Sequence, residues 1–181
     1  MKQKEPDSLE SSRLIMEKMR LSDFAFINEL LNTEGFLKYI GDRNIRSDED
    51  AKAYIAKILE NPDIQYWVVY IKSDPVPMGI VSLVKRDYLP LHDIGYAFLP
   101  RYMGRGFAFE AARALTEKLL LDCGFNELLA VPNKCNTRSV RLLGKLRFSY
   151  KNEIEREGKI IQVYSISKDG FVKRSYRHEL S

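Results

Sequence analysis

Asp93-Ile94-Gly95-Tyr96-Ala97-Phe98-Leu99-Pro100-Arg101-Tyr102-Met103-Gly104-Arg105-Gly106-Phe107-Ala108 is the stretch from which the rest of the chain is best read. A strand-like run from His92 to Leu99 ends at Pro100, crosses a short loop with two glycines and enters a helical pattern. That pattern runs from about Gly104 to Asp122, with Gly124 as its stop. At a helix start the first N–H groups lack internal partners and the positive end of the dipole is exposed. Glycine at 104 and 106 removes the Cβ atoms that would hold an oxyanion off, and Arg101 and Arg105 add positive charge. On physical grounds this is a pyrophosphate cradle. A tight strand-to-helix turn that simply needs glycine would use the same letters.

Two nucleotide loops fail against those letters. A Walker loop needs Lys-Ser/Thr after its last glycine, and Gly106 is followed by Phe107. A dinucleotide fingerprint wants a third glycine where Phe109 stands, directly after the first strand of the domain. Here the segment falls in mid-chain, behind other strands.

Working outward, Arg13 to Met19 alternates partly, as a strand would. Ser22-Asp23 opens a helix with Phe24, Ile27, Leu30 and Leu31 on one face. Ser47 with Asp50 resembles a capping box, and the helix it starts carries Tyr54, Ile55, Ile58 and Leu59 and stops at Asn61-Pro62. Tyr66 to Ile71 and Met78 to Lys85 form a hairpin punctuated by Ser73-Asp74-Pro75-Val76-Pro77. Glu127 to Val131 is a short buried strand and Thr137 to Leu146 a helix. Phe148 to Glu155 and Lys159 to Ser167 are strands joined at Glu157-Gly158. Seven strands and four helices in mixed order predict one α/β or α+β sheet domain. Residues 1–8 read as a polar tail, 9–168 as the domain, and 169–181 as a basic C-terminal tail containing Lys173, Arg174 and Arg177.

Composition narrows the function classes. The 181 residues carry 29 Lys and Arg against 25 Asp and Glu, a net charge of +4 that is too small and too evenly spread to argue for nucleic acid. The tail's Asp169 and Glu179 dilute its basic residues in the same sense. No apolar run reaches the roughly 18 residues of a membrane span, and the polar start lacks the apolar core of a secretory signal. Cys123 and Cys135 form no disulfide framework and read as reduced thiols, which places the protein in the cytoplasm. His92 and His178 lie far apart with no partner at ligand spacing, so no metal site is expected.

Arg101, Gly104, Gly106 and Ala108, in the spacing Arg-x-x-Gly-x-Gly-x-Ala, resemble the acetyl-CoA-binding signature of the GNAT superfamily of N-acetyltransferases. The resemblance extends to Leu9 through Leu14 with Asp23, to Ile94-Gly95-Tyr96 with Leu99-Pro100, to Glu110-Ala111, and to Asn136 through Phe148. Those segments, in that order, are similar to the branch that acetylates ribosomal-protein N-termini. Two positions depart from it. Met103 stands where the branch often has Trp, and Arg147 replaces the usual Gly, which costs stability if that position needs a positive φ.

The resemblance implies a mixed, mostly antiparallel sheet that splays at the cofactor strand. It implies acetyl-CoA as cosubstrate, with no metal. The pyrophosphate would rest on the N–H groups from Met103 through Gly104, Arg105, Gly106 and Phe107 to Ala108, and the pantetheine arm beside Phe98. Asn136 would bond the arm from the other side, and Ser139 would lie near the sulfur as proton donor to the leaving thiolate. Helix capping would also suit Asn136 and Ser139. The reaction implied is direct attack on the thioester by a primary amine, of a protein N-terminus or a small molecule. A non-catalytic CoA-binding module of the same fold is the alternative. For the base, His92 and Asp93 precede the cofactor segment, and alternation puts them on opposite faces. Glu153 and Glu155 are rivals, and Phe36, Tyr39 and Ile40 are candidates for the acceptor wall. Glu110 reads as a structural helix residue, and a homodimer is one assembly such a chain can adopt.

Overall fold

The computed structural model describes residues 5–175, and the side chains among them up to 172. Eight strands form one sheet: β1 (Ser8–Glu10), β2 (Leu14–Lys18), β3 (Ile64–Ile71), β4 (Asp74–Val84), β5 (Asp93–Phe98), β6 (Glu127–Ala130), β7 (Ser149–Arg156) and β8 (Lys159–Ser167). Their order across the sheet is β1-β2-β3-β4-β5-β6-β8-β7. Every neighbouring pair is antiparallel except β5 with β6. The parallel pair is joined by α4 (Phe107–Leu121), because parallel strands need a long crossover.

Helices cover both faces. Ile94 and Phe98 of β5, with Trp67 and Val69 of β3, pack against Phe107, Ala111 and Leu115 of α4 in the larger core. Val68 and Ala97, one residue out of phase, face the second core, built with α1 (Phe24–Leu31), α2 (Glu34–Tyr39) and α3 (Asp48–Glu60). Strand alternation thus assigns each side chain to one of two cores. The Trp67 indole N–H, inside the larger core, donates to the Pro6 carbonyl at 3.0 Å.

The predicted hairpins and the mixed sheet are present, with eight strands for the seven expected and, among the described residues, six α-helices for four. β1 escaped notice because it is three residues long and buries only Leu9. α2 is a short helix capped by Thr33, whose side chain accepts the Phe36 N–H. α6 (Lys168–Ser175) occupies part of what read as a basic tail; Phe171 is buried in the larger core, whereas Arg177 and Glu179 lie outside the described residues. The helix expected from Gly104 begins at Phe107, since Gly104 and Gly106 hold φ of +75° and +80°, outside helical space. At α3, Ser47 Oγ accepts the Asp50 N–H at 3.1 Å, but Asp50 reaches back to Arg46 N–H at 2.9 Å, one residue beyond a capping box.

Candidate active site

β5 and β6 share a single bridge, Asp93 with Leu129, reinforced by the Leu129 N–H bond to His92 O at 2.9 Å. Beyond it the strands part. The edge of β5 that β4 does not use has no strand partner from Ile94 to Phe98, which leaves backbone groups for an extended ligand to pair with. A cleft of about 780 Å³ opens there, walled by Asp93, Gly95 and Ala97 on one side and by Ala130, Asn136 and Ser139 on the other. Gly79 is required where β4 pairs with Phe98. A Cβ there would lie 2.5 Å from the Phe98 ring, which is buried in the larger core.

The glycine loop caps one end of this strand. Met103 N–H is already spent on Pro100 O at 3.1 Å, closing a turn of 3-10 helix over Pro100–Tyr102, so it is not available as first expected. The N–H groups of Gly104, Arg105, Gly106, Phe107 and Ala108 have no acceptor among the described residues. Five unpartnered donors at the positive end of a 15-residue helix form a ready anion site. No side chain caps α4, and Gly106 at the N-cap adopts the left-handed region with ψ 0°.

The loop is held from outside by a cluster the linear sequence does not show. Glu110, in the first turn of α4, accepts from Ser11 Oγ, Arg13 N and Arg13 Nε, each at 2.7 Å. The Arg13 guanidinium also donates to Arg105 O at 3.3 Å and lies 4.5 Å from the Phe107 ring centre. Burial pushes the Glu110 carboxyl up, but the bonds from Ser11 and Arg13 outweigh it and hold it below the ordinary value. Glu110 thus ties the first turn of α4 to the connection between β1 and β2, in a depression separate from the cleft. Arg101 is committed elsewhere, in an ion pair with Glu29 of α1, and only Arg105 leaves its charge at the loop.

Across the cleft, α5 (Thr137–Lys145) presents its N-terminus. Asn136 caps it, its Oδ1 accepting Ser139 N–H at 3.1 Å. The capping reading is correct for the oxygen, while the amide NH2 of Asn136 donates to no acceptor among the described residues. Ser139 Oγ lies 2.9 Å from the Tyr96 hydroxyl, which also donates to Ser139 O at 3.1 Å. Burial raises the Tyr96 phenol to about 12, so it remains a protonated donor at neutral pH. At the other end of α5, Arg147 N–H bonds Gly144 O and Phe148 N–H bonds Leu143 O, both at 3.0 Å, with Arg147 at φ +70°. This is a Schellman ending, with an arginine where glycine is preferred.

Only one of the two expected bases reaches the cleft. Asp93 lines it, 1% exposed, in a two-pronged pair with Arg86 at 2.7 and 3.3 Å. Burial raises its pKa and Arg86 opposes that. His92 points to the opposite face and packs edge-on against Phe125 at 5.2 Å, away from the cleft, its pKa lowered by desolvation. Glu153 is exposed on β7, where it accepts from Gln162 at 3.2 Å, and like Glu155 it stands off the cleft wall. Phe36, Tyr39 and Ile40 do form part of the wall. No cluster of three His, Cys, Asp or Glu side chains suited to a metal occurs among the described residues.

A sequence model of the acetyltransferase (GNAT) domain matches residues 13–149. The chain belongs to the GNAT acetyltransferase family. An uncharacterized N-acetyltransferase of Bacillus subtilis, YnaD, is 24% identical over 136 residues, 75% of this chain and 79% of that protein. Among solved structures, a GNAT-family acetyltransferase from Bacillus anthracis superposes with a TM-score of 0.76 at 20% identity, covering 90% of this chain and 99% of that one. A spermidine N-acetyltransferase from Vibrio cholerae, solved with CoA and spermine, gives 0.75 at 16% identity, covering 89% and 99%.

Within this GNAT domain, sequence reasoning missed Tyr96, Arg86 and Arg13. A signal existed for Tyr96, because alternation puts it on the face of Ile94 and Phe98, toward α4 and α5. Arg86 and Arg13 carry no such signal. Each is identified by a partner brought to it by the fold.

Proposed function

We propose that the protein is an acetyl-CoA-dependent N-acetyltransferase that acts on a primary amine by direct attack, working in the cytoplasm. The unpartnered N–H groups of Gly104 to Ala108 carry this reading, since they fit a pyrophosphate that a mere glycine turn would not need. Acetyl-CoA would supply the activated acyl group as a thioester. The free edge of β5 and the Asn136 amide would hold its pantetheine arm, and Arg105 would add charge near the phosphates.

The remaining chemistry falls to three side chains. Among the described residues Asp93 is the one carboxylate lining the cleft, and its burial makes it a stronger base than an exposed aspartate. It takes the proton that the amine must lose on attack. Arg86 fixes the carboxylate's orientation. Ser139 donates a hydrogen bond from its hydroxyl to the departing thiolate and stays neutral, Tyr96, hydrogen-bonded to the same oxygen, supports that donor, and the proton taken up by Asp93 passes to solvent. The ordered resemblance of Leu9–Leu14 with Asp23, of Ile94-Gly95-Tyr96 with Leu99-Pro100, of Glu110-Ala111 and of Asn136–Phe148 supports kinship with the branch that acetylates ribosomal-protein N-termini, and small-molecule primary amines are the other acceptor class.

Acceptor-dependent release of CoA thiol from acetyl-CoA tests the reading. Ser139→Ala should cut turnover by about tenfold or more and leave acetyl-CoA affinity in place. Cofactor binding with no thiol release on any primary amine would instead favour the non-catalytic module.

A further inference from the structure

Three segments that bound the cleft each bring one cation to its wall: Arg43 between α2 and α3, Lys134 between β6 and α5, and Lys159, the first residue of β8 after its turn from β7. All three are exposed, and none has a carboxylate at ion-pair distance among the described residues. The carboxylates nearest in sequence are committed to others. Asp42 pairs with Arg46, Glu127 with Lys151 at 2.6 Å and Glu157 with Arg156 at 3.5 Å, while Asp93, the one acidic side chain on the wall among the described residues, is paired with Arg86. The cleft therefore carries an uncompensated positive charge contributed independently by three segments. Beside it stands exposed apolar surface, with Ile40 43% and Ile160 50% exposed and Tyr39, the last residue of α2, next to Asn133 of the β6–α5 loop.

From this we infer that the acceptor is a small primary amine with an apolar body and an acidic group, a carboxylate or phosphate, of the kind an apolar amino acid presents. The inference rests on the acetyltransferase reading above and narrows its substrate class. A cationic wall attracts the acidic group and repels a polyamine. It also disfavours the ammonium form of the acceptor, so more of the bound amine is neutral and able to attack. The apolar patch takes the body of the molecule, with the amine left toward Asp93.

The experiment compares leucine and phenylalanine with their carboxamides and with spermidine, at equal acetyl-CoA and neutral pH, by thiol release. The carboxamide has the less basic amine, so a preference for the acid cannot come from intrinsic reactivity. The expected result is a kcat/KM at least about tenfold higher for the acid than for the amide, falling with added salt, and spermidine near background. Arg43→Gln, Lys134→Gln and Lys159→Gln should each lower kcat/KM for the acid by about two- to fivefold and leave that of the amide little changed. A thermal shift with acetyl-CoA, run on every variant, reports folding and the cofactor site separately. A shift with acetyl-CoA accompanied by turnover confined to amides or spermidine, or by no turnover, overturns the inference. No shift in the unsubstituted protein overturns the reading beneath it.

Discussion

Replacing Gly106 by Ala separates the cofactor cradle from an ordinary glycine turn. Gly106 sits at φ +80° and ψ 0°, and a Cβ there would meet only the Arg13 guanidinium, at 3.5 Å, an ordinary contact. The cost is therefore conformational, roughly 1–2 kcal/mol for an L-residue in the left-handed region. In a chain of 181 residues that lowers Tm by roughly 2–8 °C. Gly124, just past the end of α4, has the same φ of +80° and open space around it, so Gly124→Ala carries the same strain. The two variants should lose similar stability. Only Gly106→Ala disturbs the N–H groups that would hold the pyrophosphate, and displacing one charge-assisted bond should weaken acetyl-CoA by about ten- to a hundredfold. Thermal unfolding measures the first effect and calorimetric titration with acetyl-CoA the second. Equal acetyl-CoA affinity in the two variants, with equal loss of Tm, would refute the cradle.

Three further outcomes are expected. Arg147→Gly should raise Tm by roughly 1–4 °C, because relief of the left-handed strain at φ +70° exceeds the added freedom of the unfolded chain; a fall in Tm would contradict the Schellman account. Glu110 has a folded pKa below the ordinary 4.5, so its stabilisation is whole above that value and is lost as pH falls through the lower one. Glu110→Gln should thus cost about 1–3 kcal/mol at neutral pH and flatten the loss of stability in acid, as urea unfolding at several pH values would show. Asp93 has a raised pKa, so activity should fall as pH drops toward a midpoint above 3.8, and Asp93→Asn should remove both that limb and most of the turnover while sparing acetyl-CoA binding. A pH profile for Asp93→Asn that keeps the acid limb would assign the proton elsewhere.

The strand, loop and helix from Asp93 to Leu121 were legible because two signals agree there: alternation that stops at Pro100, and paired glycines that no helix interior would hold. The cleft's two walls were legible in part for the same reason, as Asn136 and Ser139 stand at a helix start and Asp93 at a strand start. What was hidden depends on contacts distant in sequence. Arg13 and Glu110 are 97 residues apart, and Tyr96 and Ser139 are 43 apart, so neither pair has a local signature. His92 and Asp93 differ by one position, and only the direction of the pleat, set by which core Ile94 enters, decides that Asp93 faces the cleft. The short elements β1, α2 and α6 offered too few apolar residues for a period. Leu9, Phe36 and Phe171 each anchor their element alone or nearly so.

Thermal unfolding with acetyl-CoA, against ATP and NAD as controls, tests the central claim most directly. With ligand near 1,000 times Kd, binding adds about 4 kcal/mol, which for a domain of this size raises Tm by roughly 8–16 °C. A rise with acetyl-CoA alone is the predicted result. An unchanged Tm with acetyl-CoA, or an equal rise with ATP or NAD, would contradict the assignment of the glycine loop and the parted strands to an acyl-CoA.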